Sequence, residues 1–262
     1  MSPLDPAHLH TFLVVLALAI ARVTGILLVM PLLGRGMVTA LARNGVIMAF
    51  ALPVMVFAWA TRPADLDITR LASVLGLGLK ELLLGCVLGM PVAATIWGVE
   101  TAGAFIDHQR GATMTSLLRP ASVNLDSPLG TFLAQLYATW LFVSGGFFKL
   151  LAALYRSHEI WPLWSFYPEF GPAFVTGVLD LADLVMLLTL LLAGPAIVGM
   201  FLSELGLALV SRFAPQLEVF LLAMSVKSAV ALLLLILSLT IVLANADKHM
   251  PSPVAILNRI AR

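Results

Sequence analysis

Asp107, Gln109 and Arg110 stand within four residues of one another, in a polar island between two long apolar blocks. They offer a carboxylate acceptor, an amide that both donates and accepts, and a planar guanidinium with five donors. Residues of these types at this spacing suit charge-assisted hydrogen bonding. The island continues through Gly111-Ala112, Arg119-Pro120 and Asn124-Leu125-Asp126-Ser127-Pro128. Residues 82–99 on its left carry no charge, and residues 127–148 on its right are equally uncharged. Gly, Ser, Asn and Pro would satisfy a plain loop, so an Asp, a Gln and an Arg kept here need a partner.

Other charges are embedded in apolar runs. Arg22 has an uninterrupted apolar stretch, residues 14–21, ahead of it and Val-Thr-Gly-Ile-Leu-Leu-Val-Met behind it. A central Arg costs roughly 2.5–3.5 kcal/mol to insert in a membrane, which calls for a partner or water. Lys80 and Glu81 interrupt the third apolar run. Adjacent residues do not face each other on a helix, so each is expected to look to a different neighbour rather than to the other. Lys149 lies near the end of a run and can snorkel. Asp180 and Asp183, at i and i+3, are expected to mark a helix start, where acids suit the dipole. Lys227 follows the uncharged residues 219–226 and precedes an uncharged run to Ala246. It either snorkels or faces a carboxylate or a polar conduit. A second island runs from Glu204 through Ser211 and Arg212 to Pro215 and Gln216. Glu204 and Ser211 would share a helical face, and Pro215 biases Ala214 away from the helical region.

Familiar catalytic constellations fail on inspection. His158-Glu159 is followed by Ile-Trp-Pro-Leu, not by the second histidine of a zinc protease. Ser144-Gly145 has Phe142 where an intramembrane serine site would want Gly. Asp180-Leu-Ala-Asp183 lacks the surround of a phospholipid-headgroup transferase, and there is no phosphate-binding Gly-x-x-x-x-Gly-Lys loop. The five histidines (His8, His10, His108, His158 and His249) are scattered, and His8 and His10 cannot share a helical face. The expectation is a protein with no catalytic site, no cofactor and no metal.

The elements that position these residues follow from composition. Of 262 residues, 61% are hydrophobic and 11% charged, and mean hydropathy is +1.03. A soluble domain carries about 25% charged residues, and much of any folded surface must still face water. The chain therefore reads as a multi-pass integral membrane protein in contact with lipid. A net charge of +1 without a Lys/Arg cluster leaves no nucleic-acid footprint. The single cysteine, Cys86, lies inside an apolar run and suits a small core residue. No Lys or Arg precedes the first apolar run, so that segment is expected to stay rather than be cleaved as a signal peptide.

Six runs approach the ~20 apolar residues needed to cross a bilayer: about 11–33, 44–61, 71–97, 127–154, 183–203 and 217–244. All are expected to be helical, because an open sheet would leave backbone groups unpaired in lipid. The polar islands then become inter-helix loops at about 98–126 and 204–216, with a short tail at 245–262, all within one helical domain. Loop charges give no orientation: Arg62, Arg70, Arg156, Lys248, Arg259 and Arg262 on one side face Arg35, Arg43, Arg110, Arg119 and Arg212 on the other. Pro31, Pro53, Pro91 and Pro195 lie in or near the ends of runs. They mark either ordinary kinks or broken hairpin helices lining a cavity.

Asp107-His108-Gln109-Arg110-Gly111-Ala112 resembles the Asp-Asn-Gln-Arg-Gly-Ala signature of the SpaR/YscT/HrcT family, the T subunit of type III secretion export gates, with His108 in place of Asn. The flagellar export-gate R subunit belongs to the same family. Further matches are Pro31-Leu32-Leu33, Lys80-Glu81-Leu82-Leu83-Leu84-Gly85 with Leu88-Gly89, and Arg212-Phe213-Ala214-Pro215-Gln216-Leu217-Glu218-Val219-Phe220. Ordered motifs over roughly residues 15–240 carry more weight than any one of them. The Gln-Arg-Gly form looks like the injectisome branch.

The resemblance implies an all-α fold like an R-type export-gate subunit fused to an S-type subunit, with helical hairpins partly lifted out of the bilayer plane. It implies a non-enzymatic part of a protein-conducting channel in the bacterial inner membrane. One such subunit would close a ring with five R-type and four S-type subunits, meet the export switch subunit, and pass unfolded secreted proteins. A separate ATPase and the proton-motive force would supply the energy. Asp107, Gln109, Arg110, Gly111, Arg119 and Pro120 become the assembly loop, with Pro215 and Gln216 in a second motif. Arg22, Lys80, Glu81, Glu204, Arg212 and Lys227 become candidates for intersubunit or channel charges, each with a pair inside the subunit as its alternative. A small-solute secondary transporter would also use broken helices and buried charges. Against it stand the short chain, the lack of inverted repeats and the lack of facing ionisable groups at mid-membrane.

Overall fold

The computed structural model describes residues 6–31, 39–61, 71–111, 127–166, 173–213 and 219–249. Among them are seven helices and no strands: α1 (Pro6–Val29), α2 (Ala40–Ala60), α3 (Leu71–Arg110), α4 (Pro128–Val143), α5 (Gly146–Ile160), α6 (Ala173–Phe213) and α7 (Val219–His249). Arg119, Pro120, Pro215 and Gln216 lie outside the described residues, as do Arg35, Arg62, Arg70, Arg259 and Arg262. Among the described residues, five helices are long and apolar enough to cross a membrane, or six spans if α4 and α5 count as one broken span. The all-helical, partly broken architecture read from hydropathy is therefore present.

Two helices are longer than their apolar runs suggest. α3 is 40 residues long and carries residues 98–110, expected in a loop, as its last turns. α6 is 41 residues long and absorbs most of the second island, through Phe213. It also begins before Asp180 and Asp183, which therefore do not mark its start. Helical hydrogen bonding needs only that polar side chains find partners or water, so charge in a run is weak grounds for ending a helix.

The prolines do not break the rods. Pro53, Pro91 and Pro195 lie inside α2, α3 and α6. The break falls instead after Val143, where Gly145 takes φ +78°. That left-handed conformation costs glycine nothing and any residue with a Cβ about 1–2 kcal/mol.

The described residues fall into two compact units, one drawn from residues 1–93 and 145–179, the other from residues 94–144 and 180–250. In the first unit, Val15, Leu18, Val23, Leu77, Leu84, Leu88, Leu150 and Leu154 are buried. In the second, Ile96, Ile106, Leu133, Tyr137, Leu188, Met200 and Ala231 are buried. α3 supplies buried residues to both, changing unit just after Pro91.

Candidate functional site

In the first unit, α1 and α3 cross with their backbones in contact. A Cβ on Gly25 would lie 3.0 Å from Gly85 Cα and would overlap the Leu82 carbonyl oxygen; one on Gly85 would overlap the Arg22 carbonyl oxygen. Small residues at such crossings let helices approach closely. The crossing brings Arg22, one turn before Gly25, to Glu81, one turn before Gly85.

Arg22 and Glu81 are both 0% exposed. The guanidinium donates through Nε to Glu81 Oε2 at 2.6 Å and through Nη2 to Oε1 at 2.9 Å, a two-bond fork. Its other donors reach Ser157 Oγ at 2.8 Å and the Trp161 carbonyl at 3.0 Å. Lys80 Nζ lies 2.6 Å from Glu81 Oε1 and donates to the carbonyls of Pro162, Leu163 and Ser165 at 3.1, 3.1 and 2.8 Å. The expectation that Lys80 and Glu81 would not pair is corrected. Their Cβ atoms diverge, but both side chains are long enough to curl back to one point. Two cations thus share one carboxylate, and carbonyl dipoles of residues 161–165 supply the remaining acceptors. The same segment is tied to α2, because Trp164 Nε1 donates to the Ala58 carbonyl at 3.2 Å.

His158 is buried beside this cluster. Its Nδ1 donates to the Leu154 carbonyl at 2.9 Å, since a carbonyl only accepts. Its Nε2 is the one buried side-chain polar atom without a hydrogen-bond partner among the described residues.

In the second unit, α3 crosses α4 in the same manner. A Cβ on Gly103 would lie 2.6 Å from Gly130 Cα, and one on Gly130 would lie 2.8 Å from the Glu100 carbonyl oxygen. One turn beyond Gly103, Asp107 is fully buried. Its Oδ1 accepts from Arg110 Nε at 2.8 Å and lies 2.6 Å from Arg110 Nη2. Its Oδ2 accepts from Ser127 Oγ at 2.5 Å and from the Leu129 backbone N–H at 2.9 Å. Ser127 is the N-cap of α4, accepting from Gly130 N–H at 2.9 Å, and Pro128 occupies the first helical position. The carboxylate therefore takes the otherwise free Leu129 N–H at the positive end of a helix. α3 ends immediately afterwards at Gly111, φ +84°, where a Cβ would lie 2.8 Å from Met224 Cε.

The polar island is thus a helix end that grips the start of the next helix. Asp107 and Arg110 pair; among the described residues, half-buried Gln109 takes no part in the Asp107 network. A third pair, Lys227 Nζ to Glu204 Oε2 at 2.9 Å, joins α7 to α6, with the Glu204 side chain 50% exposed. Arg212 is exposed in the last turn of α6. The sequence placed Ser127 in the island without its capping role, and it did not single out Ser157 or the carbonyls of Trp161, Pro162, Leu163 and Ser165. Ser-Pro before an apolar run is a readable N-cap signal, whereas a backbone carbonyl belongs to every residue and carries none. No group of three or more metal-ligating side chains occurs among the described residues.

The family model for bacterial export proteins, family 1, matches residues 13–252. The chain is 38% identical over 235 residues to the Yop proteins translocation protein T of Yersinia pestis, covering 89% of this chain and 88% of that one. It is 32% identical over 239 residues to the surface presentation of antigens protein SpaR of Salmonella typhimurium, covering 91% and 88%. It is 27% identical over 240 residues to the flagellar biosynthetic protein FliR of Bacillus subtilis, covering 91% and 88%.

Proposed function

Because this chain belongs to family 1 of the bacterial export proteins, we infer that it is a core subunit of a type III secretion export gate. It helps form the membrane channel through which unfolded proteins leave the cell. The nature of these relatives sets aside the solute-transporter reading. Its work is non-enzymatic, in keeping with relatives named as secretion-apparatus proteins, and its charged clusters tie helices to one another. It resides in the bacterial inner membrane. There, one copy joins five R-type and four S-type subunits and meets the export switch subunit, as a single helical export-gate domain built like an R–S fusion.

The observation that carries assembly with partner helices is the surface of α6. At 1.5 Å per residue its 41 residues span about 60 Å, against a hydrocarbon core of about 30 Å. Even tilted by 40° it projects about 45 Å. Yet apolar side chains are exposed at both ends, Val175 at 65% and Phe213 at 86%, with Leu209 and Leu179 between them. Lipid covers only part of such a length, and apolar surface beyond it calls for protein. On this reading, helices lifted from the bilayer also account for loop charges that favour neither side.

Within that assembly, Asp107 and Arg110 lock the end of α3 to α4. Gln109, Arg119, Pro120, Pro215 and Gln216 belong to the same two assembly motifs of the sequence. Glu204, Arg212 and Lys227 are the charges placed to meet neighbours, whereas Arg22, Lys80 and Glu81 serve the subunit's own fold. Native mass spectrometry of the chain co-expressed with R-type and S-type subunits tests the reading. One copy bound with several of each partner is the expected result. A lone monomer or homodimer beside a stable complex of the partners would overturn it.

A further inference from the structure

α5 differs from the apolar helices around it. It has 15 residues and is not by itself among the helices long and apolar enough to cross a membrane. One face is committed to the core through Leu150, Ala153, Leu154, Ser157 and His158. The opposite face is an exposed ridge at strict helical spacing: Phe148, Lys149, Ala152, Tyr155, Arg156 and Glu159. Lys149 and Arg156 are seven residues apart, so they stand on one line about 10 Å apart along the axis. Phe148, at 71% exposure, and Tyr155, at 37%, stand beside them.

We propose that this ridge is a binding site for anionic phospholipid headgroups, with α5 lying along the membrane surface. The occupant follows from charge and amphipathicity together. Two cations on one line complement phosphodiester groups, and each Lys or Arg near an anionic surface adds attraction. Water alone would suit the cations but not a Phe with most of its ring uncovered. The headgroup level suits both, because aromatic rings concentrate there and the aliphatic stems of Lys and Arg lie along apolar surface with their heads in the polar layer. A helix too short and too charged to cross, carrying basic and aromatic residues on its free face, is of the kind that rests in the interface. Glu159 stands at the far end of the ridge and opposes the attraction, which gives the proposal a signed prediction.

The test uses the full chain in nanodiscs of phosphatidylcholine with increasing phosphatidylglycerol. Bound phosphatidylglycerol is counted by native mass spectrometry, and unfolding temperature is followed against its fraction, with phosphatidylcholine alone as each variant's reference. Lys149→Gln and Arg156→Gln are each expected to weaken phosphatidylglycerol binding about fivefold, and together about 25-fold. Glu159→Gln is expected to strengthen it by up to about fivefold, and Lys149→Arg with Arg156→Lys to retain it. Equal binding by the double neutral variant and the unaltered chain would overturn the site. So would displacement of the lipid from α5 when the R-type and S-type subunits assemble, because the ridge would then be a protein interface. Either outcome leaves the export-gate assignment standing, since that rests on the family match and is tested separately by subunit stoichiometry.

Discussion

The two units solve one problem with different counter-charges. In each, α3 crosses a neighbour at a pair of glycines and buries a carboxylate four residues away, Glu81 from Gly85 and Asp107 from Gly103. Glu81 is balanced by side-chain cations, Arg22 and Lys80, brought from other parts of the chain or curled back from the next residue. Asp107 is balanced by Arg110 on one oxygen and by the N-terminus of α4 on the other. The first cluster is all-or-none: remove the anion and two cations are stranded. The second is graded, because the Leu129 N–H and the Ser127 hydroxyl remain whatever happens to Arg110.

The sharpest way to break this comparison is to remove Glu81. Glu81→Leu leaves Arg22 buried without its anion, which costs about 3–5 kcal/mol. The expected outcome is loss of the protein from membranes and a collapse of its melting transition in detergent. Arg22→Met combined with Glu81→Leu removes both charges and is expected to recover much of the loss. If the double variant is no better than the single one, the pair is not what holds α1 to α3.

Next come the crossings. Gly85→Ala forces a methyl against the Arg22 backbone and is expected to cost about 1–3 kcal/mol. Gly206→Ala meets open space on α6 and is expected to be neutral or to stabilise by up to about 1 kcal/mol. Equal melting temperatures for the two variants would refute the close crossing.

Arg110→Ala sharpens the other side of the comparison. Asp107 keeps Ser127 and the Leu129 N–H, so the fold is expected to lose about 1–3 kcal/mol, less than for Glu81→Leu. Gate assembly or secretion is nevertheless expected to fail, because the lock between α3 and α4 loosens. Normal secretion by this variant would remove Arg110 from the mechanism.

The smallest effect belongs to the half-exposed Glu204–Lys227 pair. Glu204→Gln is expected to change stability by about 0–1 kcal/mol. Glu204→Lys tests assembly separately: co-purification of the other subunits at unchanged yield would dismiss Glu204 as a contact.

Much of this was legible in the sequence, and the exceptions have physical reasons. Five of the six apolar runs became membrane-competent helices and the run 127–154 became the bent pair α4 and α5, because apolar length is the property lipid selects. The polar islands were read as loops, yet residues 98–110 and 204–213 are helical. A charged residue whose partner is distant in sequence looks the same as one that faces water. Proline left kinks and breaks both open at Pro53, Pro91 and Pro195, which lie inside helices, whereas the chain turns at Gly145. A membrane helix re-satisfies the carbonyl that proline frees, but a left-handed residue ends the rod outright.

Composition and periodicity by themselves determined the class of this protein, since so large an apolar share must be hidden from water by lipid or by other helices. They also marked Arg22, Lys80, Glu81, Asp107 and Arg110 as residues that must be paired. Which atoms pair them was decided only by the tertiary structure. The partners are a carboxylate 59 residues from Arg22, the carbonyls of Trp161, Pro162, Leu163 and Ser165 and the Leu129 N–H at the start of α4. Backbone groups are the same at every position, so only the fold can say which of them a buried charge will meet.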